Sequence, residues 1–461
     1  MFKIVFRISE SDIQHVASEF PHTAHAERLW WRQARLPFRL GGVHIAPTTS
    51  PFRHAAYLAS WYASQPEIVG RVEPDACEAF GSPGPDVVCA VDFMHNLEVG
   101  GHRFLLPQEL SGSALEGVRN LQNALTRRLQ DAEYLKLLHF CRLEESLQEG
   151  TKNPGWRNGM RLIATRAYTS SVALSRGFLS RKAVVLAVRK RLGLPVVVPA
   201  LGVCSHTGCG VTIDLGGRHL ESCVHNGNKA TIHNSVEKCL KSLTNGTRQP
   251  ESLNLVSAAG VPLRLDLIEI CNGSAERGVD VSITHPTINR TMYPSISVAV
   301  KDRFVGLSKR EKVKVQKYKG VCKAAGILFR PLVLDEFAGI GKQSVDYLAE
   351  ASGMKCPDDC ESKGTVHEHG SLQAKKRFDS WLVRLSCAVH EGFAMVIAKG
   401  RNLHVRNSAL AAAQGDSDTR AFQNAGLVTV HWIPARSYQA SITKSGPCYA
   451  IIMSYDSYLW V

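Results

Sequence analysis

A segment dense in cysteine and histidine, residues 204–233, most constrains how this chain can fold. Zinc prefers four thiolate or imidazole ligands arranged as a tetrahedron. A cation held in this way cross-links a short segment that cannot build a hydrophobic core of its own. Cys204 and Cys209 form one candidate ligand pair, and His219 and Cys223 form the second. The spacing therefore predicts a structural zinc knuckle.

The fourth zinc ligand stays open at this point. His225 or His233 could replace His219, whereas His206 is the weakest candidate. The chain has 13 cysteines, an odd number at irregular spacing. This pattern does not fit a disulfide framework. We therefore expect a reducing compartment, with a few cysteines bound to metal and the others buried or free.

The charge balance points to a polyanionic partner. Lysine and arginine number 55 against 41 aspartate and glutamate residues, which gives a formal net charge of +14. Nucleic acid is the usual partner of such a chain. The sequence contains no run of about 18 apolar residues, so we predict no membrane span. Its charged fraction of 21% and apolar fraction of 44% are ordinary for a globular protein.

Hydrophobic periodicity divides the chain into helical and mixed regions. Apolar residues recur at three- and four-residue steps over residues 110–148, and helical patches continue to a stop at Gly193 and Pro195. Beyond these, strand-like runs alternate with helices, which favours an α/β or α+β fold. The predicted organisation is a lead-in over 1–35, a helical region over 36–200, the zinc knuckle over 201–235, a core over 236–350, C-terminal helices over 351–412 and a tail over 413–461.

Two aspartates lie in consecutive strand-like runs. Asp266 lies in PLRLDLIEI and Asp280 in GVDVSITHP, each among apolar residues. A charge in such surroundings is costly unless it binds a partner. Two carboxylates brought together can hold Mg²⁺, which prefers carboxylates and water. The pair therefore predicts a catalytic magnesium site, whereas Glu269, three residues after Asp266, is expected to face the other side of the strand.

A basic helix is predicted over residues 307–325, followed by the strand ILFRPLVLDEF. Arg310, Lys314 and Lys317 recur at helical spacing along one side of it. A lysine beside the two aspartates could stabilise charge that develops on a phosphate. The other basic side chains would bind phosphates without sequence preference. The candidates for these contacts are Arg264, Arg310, Lys312 and Lys319.

The order of these motifs resembles the C-terminal region of non-LTR retrotransposon polyproteins that carry a restriction-like endonuclease. The family pattern is a CCHC knuckle, then R/K-P-D, 12–14 residues, a second acid and a downstream lysine. Here Arg264-Leu265-Asp266 is followed after thirteen residues by Asp280 and then by KVQKY. Ser282 stands two residues after Asp280, so the lysine must come from the helix. Similar blocks are LPFRLGGVHI with AAYLAS, VRKRLGLP, GILFRPLVLDEF and AKKRFDSWLVRLSCAVHEGFA.

The resemblance implies a PD-(D/E)XK-type mixed sheet flanked by helices. It implies that Asp266 and Asp280 bind a divalent metal, that Lys314 or Lys317 is the catalytic lysine, and that Tyr318 is its neighbour. The enzyme would nick a DNA target in the nucleus to prime reverse transcription, with the element RNA as a further partner. A polymerase motif of the F/Y-x-D-D kind is not found. The alternatives are a zinc-stabilised nucleic-acid-binding protein without catalysis and an inactive remnant.

Overall fold

The computed structural model describes helices, strands and connections in the middle of the chain. The chain divides into two units, Met1–Asn407 and Ser408–Val461, and all packing described below concerns the first. The predicted AAYLAS helix, the predicted tail over 413–461 beyond its first residue, and the first 25 residues lie outside the described residues. Apart from a few positions inside them, the described ranges are 26–43, 89–93, 121–147, 153–197, 203–246, 255–269, 277–354 and 371–413.

Local capping explains where the helices before the knuckle begin and end. Asn153 accepts the backbone N–H of Trp156 in front of one helix, and Ser180 accepts that of Ala183 in front of another. The predicted stop at Gly193 is confirmed, because this residue takes the left-handed conformation at φ 73°. The helices are α1 (Ala26–Arg35), α2 (Leu121–Leu147), α3 (Pro154–Ala164), α4 (Tyr168–Arg176) and α5 (Arg181–Leu192).

A buried arginine ties these helices to the chain before them. Arg191 is almost fully buried and donates to the carbonyl oxygens of Phe38, Gly42, Thr165 and Ser170. Burial lowers the pKa of its guanidinium to about 9. Its five donors satisfy carbonyls that would otherwise be buried without partners. The LPFRLGG segment therefore packs as part of the helical region.

The second half of the unit is built on two small sheets. In the larger sheet, of order β3-β4-β5, β3 runs antiparallel to β4 and β5 runs parallel to it. The basic helix and the strands predicted in GVDVSITHP and ILFRPLVLDEF are confirmed, and the mixture of helices and small sheets is an α+β fold. The elements are α6 (Arg218–Ser222), α7 (Asn228–Thr244), β1 (Leu255–Val256), β2 (Pro262–Leu263), β3 (Leu267–Glu269), β4 (Arg277–Thr284), α8 (Ile296–Lys301), α9 (Val305–Ala324), β5 (Leu328–Asp335), α10 (Lys342–Ala351) and α11 (Leu372–Ala413).

Opposite faces of this sheet carry different helices. Val279 and Val281 of β4 lie in one hydrophobic cluster with Val236 of α7. Phe329 of β5 lies in another cluster with Tyr318 of α9, whose ring it stacks on at 5.0 Å. Because side chains alternate along a strand, and the parallel register sets β4 against β5, these clusters cover opposite faces. The sheet is therefore held between α7 and α9.

The PLRLDLIEI run is not the single strand that the sequence predicted. It breaks into β2 and β3, with Asp266 between them. The backbone N–H of Asp266 donates to Val279 O at 3.0 Å, and its carboxylate accepts the N–H of Val281 at 2.7 Å. The Asp266 carboxylate thus accepts a hydrogen bond that a backbone carbonyl would otherwise accept, which explains the break between β2 and β3. Glu269 is buried and accepts the hydroxyl of Tyr347.

The long helix α11 contains a stretch, Leu372–Gly400, that is long and apolar enough to cross a membrane by length and composition. Its mean hydropathy is 1.3, but 61% of the apolar window is buried inside the protein. Phe378, Leu385 and Phe393 pack in the same cluster as the sheet. A core helix passes the same test, and this packing accounts for the apolar stretch.

Acid sensitivity is expected from His390, a buried histidine of α11. Burial, followed by the charges of Lys190 and Arg191, lowers its pKa to about 3. In the unfolded chain His390 takes up a proton near pH 6.5. The free energy of unfolding therefore has its full value above pH 6.5 and falls as the pH drops toward 3. By pH 5 the loss is about 2 kcal/mol. Urea unfolding at pH 7.5 and 5.0 measures it, and His390→Gln should flatten the dependence. If the free energy of unfolding of His390→Gln depended on pH as strongly as that of wild type, this role of His390 would be contradicted.

Candidate metal centres

The knuckle is a tight double turn followed by the short helix α6. Val203 and Thr212 form an isolated bridge, and Cys204 donates its backbone N–H to Val211 O at 2.8 Å. Cys209 donates its own N–H to His206 O at 3.0 Å. These bonds turn Cys204 and Cys209 toward each other. The helix then supplies His219 and, at its C-cap, Cys223.

The four predicted ligands converge. Cys209 Sγ lies 3.2 Å from His219 Nε2 and 3.7 Å from Cys223 Sγ, and Cys204 Sγ lies 3.9 Å from Cys223 Sγ. Ligands about 2.0–2.3 Å from a tetrahedral zinc ion stand roughly 3.5–3.8 Å apart. Burial raises the pKa of Cys204 to about 11 in the absence of a cation. The donor set and its spacing fit zinc.

The histidine alternatives are placed differently. His206 Nδ1 lies 3.3 Å from Cys204 Sγ, but His206 is outside the group of four whose ligand atoms lie within 4.8 Å of one another. His233 is not a knuckle ligand: it lies on α7 beside Asp266. His225 lies outside the described residues. His219 is therefore the fourth member of the group.

Asp214 holds the ligand helix in place. Its carboxylate accepts the backbone N–H of His219 at 2.9 Å and pairs with the Arg218 guanidinium at 3.0 Å. Burial would raise the pKa of Asp214, but the charge of Arg218 and these hydrogen bonds hold it below its usual value. An ionised carboxylate at a helix N-terminus also satisfies donors that have no partner in the helix. The Asp214 carboxylate therefore orients His219.

The two predicted catalytic aspartates lie on neighbouring chain segments. Asp266 hydrogen-bonds Val279 and Val281, the residues on either side of Asp280 in β4. The charge of Lys314 acts on Asp266, and both aspartates raise the pKa of Tyr318 after the larger effect of burial. Asp266 is therefore held against the central strand β4, beside the segment that carries Asp280.

Helix α7 adds two side chains that sequence reasoning did not assign to this site. His233 Nε2 lies 3.1 Å from Asp266 Oδ2, and Glu237 lies one turn further along the helix. Ligand atoms of His233, Glu237 and Asp266 all lie within 4.8 Å of one another. Burial would raise the pKa of Asp266, but the hydrogen bond from His233 and its charge hold it below its usual value. The i, i+4 spacing of His233 and Glu237 was a usable signal.

Of the two candidate lysines, Lys314 reaches the carboxylates. Its Nζ lies 2.5 Å from Asp280 Oδ2. Lys317 is exposed and lies over the ring of Tyr318, with 4.9 Å from Nζ to the ring centroid. Tyr318 is buried and donates its hydroxyl to Arg264 O at 3.0 Å. Lys314 is therefore the candidate lysine that contacts Asp280, and Tyr318 packs beside it.

The predicted phosphate-binding residues divide into two sets. Arg310 is half-buried and donates to the hydroxyl of Ser282 at 2.9 Å, one turn of α9 before Lys314. Arg264, Lys312 and Lys319 have exposed side chains. Arg310 therefore borders the acidic site, whereas the other three lie where solvent, or a bound polyanion, reaches them.

A third group is buried where the knuckle meets the sheet. Lys190 Nζ lies 2.7 Å from both oxygens of Glu221 and 3.1 Å from Glu336. His285 Nδ1 lies 3.7 Å and 3.6 Å from the same two carboxylates. Burial opposes the charge of Lys190, but the carboxylates outweigh it and raise its pKa. Lys190 occupies the place between the carboxylates that a metal ion would need, so this group is an internal ion cluster.

No protein-family model matches the chain, and no curated protein matches it either.

Proposed function

We propose that this protein is a metal-dependent DNA endonuclease with a zinc knuckle, similar to the C-terminal region of non-LTR retrotransposon polyproteins. The observation that carries the proposal is that the Asp266 carboxylate accepts the N–H of Val281, the residue next to Asp280 in β4, while Lys314 pairs with Asp280. Two hard carboxylates and a lysine beside them are the groups that phosphodiester hydrolysis needs. In this proposal the sheet and its flanking helices are the restriction-like core.

Each side chain has a separate task in the proposed reaction. Asp266 and Glu237 would supply carboxylate oxygens, which Mg²⁺ prefers as ligands, and Asp280 would join them once Lys314 leaves it. The ion would polarise the phosphodiester and lower the pKa of the attacking water. Lys314 exchanges its contact with Asp280 for the scissile phosphate and offsets the charge that develops there. His233 orients Asp266 through their hydrogen bond.

Binding of the DNA target rests on the basic side chains around this site. Arg310 borders the carboxylates, and the exposed Lys312 and Lys319 extend the positive surface along α9. Such contacts give affinity that falls with salt and carries little sequence preference. A nuclear location and an RNA partner follow only from the resemblance and belong to the same proposal.

Nicking of supercoiled plasmid in Mg²⁺ tests the proposal. Wild-type protein should convert supercoiled DNA to the open circle, and Asp280→Asn should slow this at least ~100-fold because a metal ligand is lost. Asp379→Asn, which removes a half-buried carboxylate of α11, serves as the matched control and should nick at the wild-type rate. Equal rates for wild type and Asp280→Asn would remove the enzymatic claim.

A second candidate function is nucleic-acid binding without catalysis. The ion pair between Lys314 and Asp280, at 2.5 Å, favours it, because a lysine can neutralise the acidic site as an internal cation. This alternative predicts that Asp280→Asn leaves DNA affinity intact and that no Mg²⁺-dependent nick forms with any variant. Mg²⁺ titration followed by thermal unfolding separates the two, since only a metal site is stabilised by the ion.

A further inference from the structure

A histidine and two carboxylates meet where α7 packs on the sheet. Ligand atoms of His233, Glu237 and Asp266 all lie within 4.8 Å of one another, and His233 Nε2 lies 3.1 Å from Asp266 Oδ2. Two ligands that bind one ion at about 2.1 Å and at right angles to each other stand roughly 3 Å apart. Asp280 is not a member of this group and pairs with Lys314. The group therefore offers one nitrogen and two carboxylate donors to a single ion.

Ordered elements hold these three side chains in place. Helix α7 carries His233 and Glu237 one turn apart on one face, and its Val236 is buried in the core. Asp266 is fixed on the sheet, because its carboxylate accepts the N–H of Val281 at 2.7 Å. The side chains of His233, Glu237 and Asp266 are 26%, 12% and 23% exposed. The donors are therefore preorganised, and an ion can reach them from solvent.

The hydrogen bonds of these residues are compatible with a bound ion. His233 Nδ1 lies 3.3 Å from Asn234 Oδ1, an oxygen that only accepts. In the neutral ring Nδ1 therefore carries the proton, and Nε2 presents its lone pair to the group. Metal-binding histidines usually donate their other ring N–H in this way.

The ion pair of Glu237 does not prevent metal binding. Glu237 Oε1 lies 3.0 Å from Lys241 Nζ. A carboxylate has about four lone-pair sites on its two oxygens, so Glu237 can keep this partner and bind an ion as well. Binding of the ion would replace the hydrogen bond between His233 and Asp266.

The donor set selects the class of ion. Mg²⁺ binds oxygen ligands and water, whereas imidazole nitrogen suits transition metals. We propose that His233, Glu237 and Asp266 bind a divalent transition-metal ion in preference to Mg²⁺. The two carboxylates balance the charge of this ion, and water completes its coordination. The bearing of this ion on cleavage rests on the proposed function, but its binding does not.

Mn²⁺ binding by the full chain, with zinc in the knuckle, tests this inference. Mn²⁺ is the weakest binder among the first-row divalent metals, so it leaves the zinc in place. Electron paramagnetic resonance counts the free Mn²⁺ and, in its pulsed form, detects a nitrogen bound directly to the ion. Wild-type protein should bind one Mn²⁺ with this nitrogen signal, and Mg²⁺ at equal concentration should not displace it.

His233→Gln should remove the nitrogen signal and weaken Mn²⁺ binding at least ~10-fold, because loss even of a residue that only holds a metal ligand costs about 10–100-fold in metal affinity. Glutamine keeps an N–H that can be donated to Asp266, so a histidine that only positions Asp266 would be replaced without this loss. Glu237→Gln should also weaken binding but keep the nitrogen signal. His139→Gln, at an exposed position of α2, is the matched control and should bind Mn²⁺ as wild type does.

Asp280→Asn separates this inference from the proposed endonuclease, because Asp280 is outside the group. This variant should keep the nitrogen-bound Mn²⁺ whether or not the protein nicks DNA. Nicking in Mg²⁺ without nitrogen-bound Mn²⁺ would support the endonuclease and overturn the inference. Nitrogen-bound Mn²⁺ in a wild-type protein that does not nick DNA would do the reverse. Mn²⁺ bound through oxygen alone, or with equal affinity in wild type, His233→Gln and Glu237→Gln, would also overturn the inference.

Discussion

Replacing Cys223 with serine is expected to abolish zinc binding and to remove the fixed structure of the knuckle. Cys223 Sγ lies 3.7 Å from Cys209 Sγ and 3.9 Å from Cys204 Sγ, so its loss opens the tetrahedron. Structural zinc contributes on the order of 10 kcal/mol to folding in small knuckles. Because α6 also packs in the core through Leu220, the expected destabilisation of the whole unit is at least about 5 kcal/mol.

Zinc content and thermal unfolding measure this effect together. Wild-type protein should hold one zinc ion per chain by elemental analysis, and Cys223→Ser should hold almost none. Cys239→Ser removes a half-buried cysteine of α7 that is outside the group and should keep both zinc and stability. A metal-free wild-type protein with an unchanged melting temperature would contradict a structural role for the ion.

Lys190→Met is expected to destabilise the protein by about 3–5 kcal/mol. Lys190, Glu221 and Glu336 are all buried, and the variant leaves two carboxylates without their cation. Removal of one partner from a buried ion pair costs this much because the remaining charge cannot be solvated. The same lysine joins α5, the knuckle helix α6 and the end of β5. Its loss should therefore also loosen the knuckle.

Neutralising the carboxylates should rescue this variant. Lys190→Met combined with Glu221→Gln and Glu336→Gln leaves no buried charge in the cluster, so most of the stability should return. Lys182→Met, at an exposed position of the same helix, should change stability by less than about 0.5 kcal/mol. Urea unfolding of the four proteins gives the comparison. A triple variant as unstable as Lys190→Met would mean that the cost comes from packing rather than from charge.

The order of motifs and the geometry around Asp280 support the proposed family. Zinc content and Mg²⁺-dependent nicking test separate parts of it. A protein that binds zinc but does not nick DNA would support the zinc knuckle and contradict the proposed endonuclease activity. A protein that does neither would fit an inactive remnant.

The sequence determined the features that depend on neighbouring residues. The four knuckle ligands lie within 20 positions, and their spacing was sufficient to select Cys204, Cys209 and Cys223. The stop at Gly193 and the basic helix also followed from local patterns, because capping and helical periodicity are short-range properties. Asp266 and Asp280 were predicted as a pair from their strand-like surroundings, and their shared metal site stays a prediction.

Only the tertiary structure decided which distant side chains meet. His219 rather than His233 joins the knuckle, because α7 turns His233 toward Asp266. Lys314 rather than Lys317 reaches Asp280, since one helical face alone lies against β4. The cluster of Lys190, Glu221 and Glu336 joins residues far apart in the chain, and no local pattern marks a lysine that will be buried. Burial and ion pairing depend on which surfaces pack together. They therefore arise only when the folded chain brings these distant side chains into contact.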